Sequence, residues 1–119
     1  HANALNYLGY TYAEKVINLE EALALIKKAL DIKPESPHII DSLGWVYYKM
    51  GEIDKAIVEL ERAIKYIPND SVVLEHLGDA YLKKGLKDRA IEFYEKAVKL
   101  DEKNAKLKEK LEELKKKRK

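Results

Sequence analysis

The chain has 119 residues, no cysteine, 5 Gly and 3 Pro, with 46% hydrophobic and 37% charged side chains. This balance excludes a disordered tail, a collagen-like rod and a low-complexity linker, and the missing thiols exclude a disulfide framework and any thiolate nucleophile or metal site. The net charge of +2 hides an asymmetry: residues 1–100 carry 14 basic and 16 acidic side chains, and residues 101–119 carry 9 and 5.

The body is therefore no polyanion binder by charge, and the excess sits on Lys115, Lys116, Lys117, Arg118 and Lys119. The 20 Lys and 14 Glu against 3 Arg, with no Gln and one Met, follow the pattern reported for proteins of hot environments. No apolar run approaches the roughly 20 residues that span a bilayer, so the reading is a soluble domain. The chain opens on His1 without a methionine, which reads as a segment of a larger protein.

In chain order, helices are predicted near residues 3–15, 19–32, 37–50, 53–66, 71–84, 87–100 and 104–117. Val16 or Ile17 stands where the first turn would want a glycine, and Asn18 with Glu21 reads as a capping box for the second helix. That second helix carries the stripe Leu19, Ala22, Leu23, Ile26, Ala29, Leu30. Ser36 and Pro37 form a cap and first-turn pair for a third helix that is apolar nearly all round: Ile39, Ile40, Leu43, Trp45, Val46, Tyr47, Tyr48 and Met50. Such a helix must be contacted on more than one side.

Gly51 supplies a left-handed stop, as does Gly85 after the fifth helix. The fourth helix repeats the stripe with Ile53, Ala56, Ile57, Leu60, Ala63, Ile64 and Ile67, and the sixth with Ala90, Ile91, Tyr94, Ala97 and Val98. Glu102 replaces a proline, so the sixth helix is free to run on or to turn less sharply. Leu107, Leu111 and Leu114 make a narrow stripe on a charged last helix, suited to closing a stack.

The chain repeats itself. Ala22, Ala56 and Ala90 recur at one constant interval, which Ala29, Ala63 and Ala97, Gly44 and Gly78, and Pro34 and Pro68 all share. That interval is about 34 residues, the length of a helix-turn-helix unit in one class of repeat architecture. Gly9 lies 35 before Gly44, and Leu-Gly-x-x-Tyr recurs at Leu8–Tyr12, Leu43–Tyr47 and Leu77–Tyr81. A helix pair of this period with this motif, two alanines and a proline resembles the tetratricopeptide repeat. The resemblance covers about residues 2–105, and implies an all-α solenoid of antiparallel helix pairs wound into a right-handed superhelix. The domain reads as 1–119, with repeats at about 2–36, 37–70 and 71–104 and a capping helix at about 105–117. Gly44 and Ala56 then mark a close helix crossing that a larger side chain would overpack.

No catalytic constellation is present. The serines Ser36, Ser42 and Ser71 lack a local His and Asp signature and no phosphate loop occurs, so an enzyme is not expected. His38 and His76 form no i, i+4 ligand pair, and neither a metal nor another cofactor is expected. The basic tail has no aromatic residue beyond Tyr94 beside it, which favours a solvated helix end over nucleic-acid binding.

The resemblance places partner-binding side chains on the first helix of each pair, facing a concave groove. They are Asn3, Asn6, Tyr10, Ala13 and Glu14; then His38, Asp41, Trp45, Tyr48 and Lys49; then Val72, Glu75, Asp79, Leu82 and Lys83. Trp45 and Tyr48 are the expected anchor, because Trp and Tyr dominate interface hot spots. Asp41, Glu75 and Asp79 are expected to meet amide or basic groups of a protein or peptide partner. The carboxylate clamp of the chaperone-tail subfamily is absent, since its places hold Asn6, Tyr10, Ser42, Val72 and His76.

The reading is a non-enzymatic protein-binding scaffold. Its rivals are self-association, through the groove or the uncapped face of the first helix, and service as the accessory domain of a larger enzyme. A weaker resemblance, in NALNYLGYTYAE, IIDSLGWVYYKMGEIDKA and VVLEHLGDAYLKKG, is to repeats of large bacterial proteins, some exported or envelope-attached.

Overall fold

A computed structural model describes residues 1–117, in which seven helices and no strand occur among the described residues. They are α1 (Ala2–Lys15), α2 (Leu19–Ile32), α3 (Pro37–Lys49), α4 (Ile53–Tyr66), α5 (Ser71–Lys83), α6 (Lys87–Leu100) and α7 (Ala105–Lys117). Every boundary falls within one residue of the periodicity reading. Arg118 and Lys119 of the basic tail lie outside the described residues.

The chain divides into two compact units, His1–Tyr66 and Ile67–Lys119. In the first, α1 packs on α2, α2 on α3, α3 on α4, and α1 also meets α3. Its core is built from Ala13, Ala22, Ile26, Ala29, Ile39, Leu43, Trp45 and Val46. In the second unit, α5 packs on α6 and α6 on α7. Its buried residues include Val73, Leu77, Ile91, Tyr94, Leu107 and Leu111.

One contact fixes the geometry of each pair. A Cβ built on Gly9 would sit 2.7 Å from Ile26 Cδ1, and one on Gly44 would sit 2.7 Å from Leu60 Cγ. One on Gly78 would enter the ring of Tyr94. Ile26, Leu60 and Tyr94 occupy one place of the repeat, so the branched or aromatic side chain of each second helix rests on the bare backbone of the first. Tyr94 needs the most room and also a polar partner, which it finds: its hydroxyl donates to Asp79 Oδ1 at 2.5 Å.

Gly51 and Gly85 adopt φ of 85° and 90°, the left-handed stop that their positions call for. The first turn is built otherwise. Val16 takes φ 53° and Asn18 takes φ 47°, so two residues with side chains turn the chain that one glycine turns elsewhere. This corrects the capping-box expectation. An N-cap side chain reaches the N2 or N3 amide from extended backbone, and left-handed Asn18 makes no such bond. Ser36 is the N-cap of α3, with Pro37 in its first turn, but its hydroxyl makes no capping bond. A side-chain cap does form at α5, where Asp70 Oδ1 accepts from the amides of Val72 and Val73 at 2.9 and 3.1 Å.

Without a proline at Glu102, α6 still stops at Leu100. The reason lies in the next helix: Asn104 Oδ1 accepts from the Leu107 amide at 3.1 Å, and Asn104 Nδ2 donates to Asp101 Oδ2 at 3.3 Å. The Asx cap sets the start of α7 and so ends α6 without proline.

Candidate functional site

The side chains expected on the first helices fall into two groups, one in each unit. In the first unit Asn3 is exposed on α1, while Asn6 and Tyr10 are half-buried. The Asn6 Oδ1 is buried without a hydrogen-bond partner. On α3, His38 is exposed, Tyr48 and Lys49 are half-buried, and Asp41 is buried.

Trp45 is the correction that matters most. An anchor needs an open ring, yet this one is only 7% exposed and belongs to the core cluster of the first unit. Helical spacing carries no trace of this: α1 lies against α3 and roofs the indole. Glu14 of α1 accepts a hydrogen bond from Trp45 Nε1 at 2.5 Å, which satisfies the one polar atom of the ring. Tyr48 stacks on the other side, with centroids 4.7 Å apart and planes 5° from parallel, and the Lys49 ammonium lies 5.0 Å from the indole centroid. What reaches solvent is the edge of this stack, made of half-buried Tyr48 and Lys49 and exposed Glu14.

In the second unit Val72, Leu82 and Lys83 are exposed and Glu75 and Asp79 are half-buried. The two carboxylates do not wait for a partner. Lys110 of α7 puts its ammonium 2.5 Å from Glu75 Oε2 and 2.9 Å from Asp79 Oδ1, and 5.5 Å from the Tyr94 ring centroid. Burial alone would lower the Lys110 pKa, but the two hydrogen bonds and two negative charges outweigh it and raise the pKa. This corrects the expectation that these acids face a basic ligand. The residue reading misses Lys110, although a signal exists: it shares one column of the repeat with Ser42 and His76. Beside this cluster is an open depression of about 1070 Å³, lined by Leu82, Lys87, Lys106, Lys110, Glu113 and Leu114 among others.

Among the described residues no group of three or more His, Asp or Glu is arranged to hold a metal ion, and no helix is long and apolar enough to cross a membrane. The geometry offers aromatic edges, lysines and carboxylates for contact, with the Gly residues engaged in packing and turning.

Residues 42–105 match the family model described as tetratricopeptide repeat. The chain belongs to the tetratricopeptide repeat family. It is 45% identical over 53 residues to the TPR repeat-containing protein PA4667 of Pseudomonas aeruginosa; these are 44% of this chain and 9% of that protein, so the chain spans about a tenth of its curated relative. Among solved structures it is similar to the tetratricopeptide repeat domain of Sgt2 from Aspergillus fumigatus, with TM-score 0.87 and 25% identity over 98% of this chain and 78% of that one. The first tetratricopeptide repeat domain of Spaghetti (RPAP3), bound to the HSP90 peptide SRMEEVD, superposes with TM-score 0.86 at 18% identity, covering 97% of this chain and 90% of that one. A thermophilic tetratricopeptide repeat protein of Thermus thermophilus, TTC0263, matches at TM-score 0.82 and 24% identity over 96% and 63%. The last two likenesses show the fold alone. Tetratricopeptide repeats generally mediate protein–protein interaction, which is the class of function the family gives this chain.

Proposed function

We propose that this chain is a non-catalytic scaffold that captures a peptide or protein segment on the exposed faces of its first helices. The observation that supports this best is the braced stack of Trp45 and Tyr48. Glu14 holds the indole, the indole holds Tyr48, and Lys49 sits over the indole ring. Such a pre-ordered aromatic edge loses little side-chain entropy on binding, and Tyr is enriched among interface hot spots for that reason. In this reading Tyr48 is the anchor and Trp45 its support, with Tyr10, Asn6 and Asn3 on the same unit supplying polar contacts.

The relative bound to an HSP90 peptide does not transfer its ligand. The places of the carboxylate clamp hold Asn6, Tyr10, Ser42, Val72 and His76 here, none of them a Lys or Arg. Chaperone carboxylate tails therefore fall outside this proposal, and an internal peptide segment with one apolar side chain fits it.

The test is selection of binding peptides from a displayed random library, followed by titration against variants. Tyr48→Ala should weaken the selected peptides about tenfold or more, and Lys49→Glu should change their charge preference, while Lys65→Ala leaves both unaltered. Equal binding by all three variants would overturn the assignment.

A further inference from the structure

Tyr47 and Tyr81 hold the same place in successive repeats, and both are half-buried. Tyr81 is stacked by Phe93 of α6, with centroids 5.5 Å apart and planes 5° from parallel. Arg89 closes the pair. Its guanidinium carbon lies 4.9 Å from the Tyr81 centroid and 5.1 Å from that of Phe93, and its Nη2 donates to the Tyr81 hydroxyl at 3.4 Å. Two rings and a cation thus form one closed block, in which Phe93 is only 6% exposed.

The second repeat keeps two of these three parts. Tyr47 supplies the first ring, and Lys55, in the place of Arg89, puts its ammonium 5.7 Å from the centroid. The place of Phe93 holds Glu59, which cannot stack. Where the third repeat has its second ring, the second repeat has an open depression of about 390 Å³, lined by Tyr47, Asp54, Lys55, Val58 and Glu59. Val58 is exposed on its wall, in the place of Glu92, so the depression offers apolar surface. Glu59 adds a polar requirement. Its Oε1 is buried and has no hydrogen-bond partner among the described residues. Arg62 Nη1 stands 3.6 Å from that oxygen, an ion pair too long to be a hydrogen bond.

We propose that this depression is a binding site for the indole of a tryptophan presented by a partner protein. The chain carries the filled version of the site in its third repeat: the indole stacks on Tyr47 as Phe93 stacks on Tyr81, with Lys55 over the rings as Arg89 is. Charge complementarity selects the indole. It is the aromatic side chain that a cation attracts best, and its one polar atom is a donor only, matched to the acceptor Glu59 Oε1. A phenol attracts the cation less and brings a second acceptor beside the carboxylate. The site is separate from the Tyr48 edge. Tyr47 and Tyr48 are neighbours on α3 and so lie about 100° apart round its axis, one beside α4 and the other on Trp45.

The test titrates free indole into the protein and follows the Val58 methyl and Tyr47 ring signals by NMR. Saturable shifts at these two residues are expected. Benzofuran, which keeps the fused ring and lacks the N–H, should bind about tenfold or more weakly, the loss of a hydrogen bond to a charged acceptor. Glu59→Phe gives the second repeat the ring that the third already has, and should abolish the shifts. Lys55→Ser changes an exposed side chain without touching the core, and should weaken binding while the protein stays folded. An absence of saturable shifts would overturn the proposal, as would equal binding of indole and benzofuran, tighter binding of phenol, or indole binding that Lys55→Ser leaves undiminished.

Discussion

The Lys110 ammonium lies 2.9 Å from Asp79 Oδ1, and the same oxygen accepts the Tyr94 hydroxyl. One carboxylate of α5 thus ties together the second helix of its own pair and the helix that closes the stack. Replacing Lys110 by Met keeps most of the stem that covers Tyr94 and removes the charge. Because Lys110 is 40% exposed, screening limits the loss to roughly 0.2–1 kcal/mol, and the difference should shrink further in 1 M salt. Thermal melts of the two proteins at low and high salt measure it.

The same lysine gives a pH signature. Its pKa is raised in the folded protein, so its contribution is complete below the ordinary lysine value and is lost as pH rises through the folded one. The native protein should therefore lose stability above about pH 10.4 that Lys110→Met has already lost. Denaturant midpoints measured between neutral and strongly alkaline pH should converge for the two proteins.

Val16 stores strain. It is a β-branched residue at φ 53°, a conformation that costs a non-glycine residue roughly 1–2 kcal/mol. Its side chain is exposed, so little packing is lost on removing it. Val16→Gly should stabilise the protein by about 0.5–1 kcal/mol after the greater freedom of glycine in the unfolded chain is subtracted. A urea unfolding midpoint that falls instead would mean that Val16 packs in a way its exposure does not show.

Gly44 separates crowding from turning. Gly44→Ala drives a methyl against the branch point of Leu60 and the Ala56 carbonyl, 2.7 and 3.2 Å from the new Cβ, and should cost about 1–3 kcal/mol. At Gly51 nothing lies within 4 Å, and the cost of Ala there comes from φ 85° alone, about 1 kcal/mol. Lys65→Ala, on an exposed helical surface, should stay within about 0.5 kcal/mol. Chemical denaturation of the three variants ranks them.

Trp45 supplies a spectroscopic check. A ring 7% exposed, bound to Glu14 and stacked on Tyr48, should emit to the blue of free indole and resist acrylamide quenching. Trp45→Ala should therefore cost about 3–5 kcal/mol of stability, so its effect on partner binding is read only where the variant remains folded.

Nearly all of the local structure is legible in the residues alone. Period, stripe, glycine stops and repeat register are properties of neighbouring residues, and they place seven helices to within one residue. They also show where bulk is forbidden, since Gly9, Gly44 and Gly78 recur opposite Ile26, Leu60 and Tyr94. What they do not show is which helix covers which side chain. The helical period puts Trp45 and Tyr48 on one face but is silent on α1, whose Glu14 comes from 31 residues away to hold the indole. Lys110 reaches Glu75 from 35 residues away, and by doing so turns a free acidic pair into a closed ion cluster. Side-chain exposure and charge pairing depend on distances between helices, and those are set only when apolar stripes from separate parts of the chain pack together.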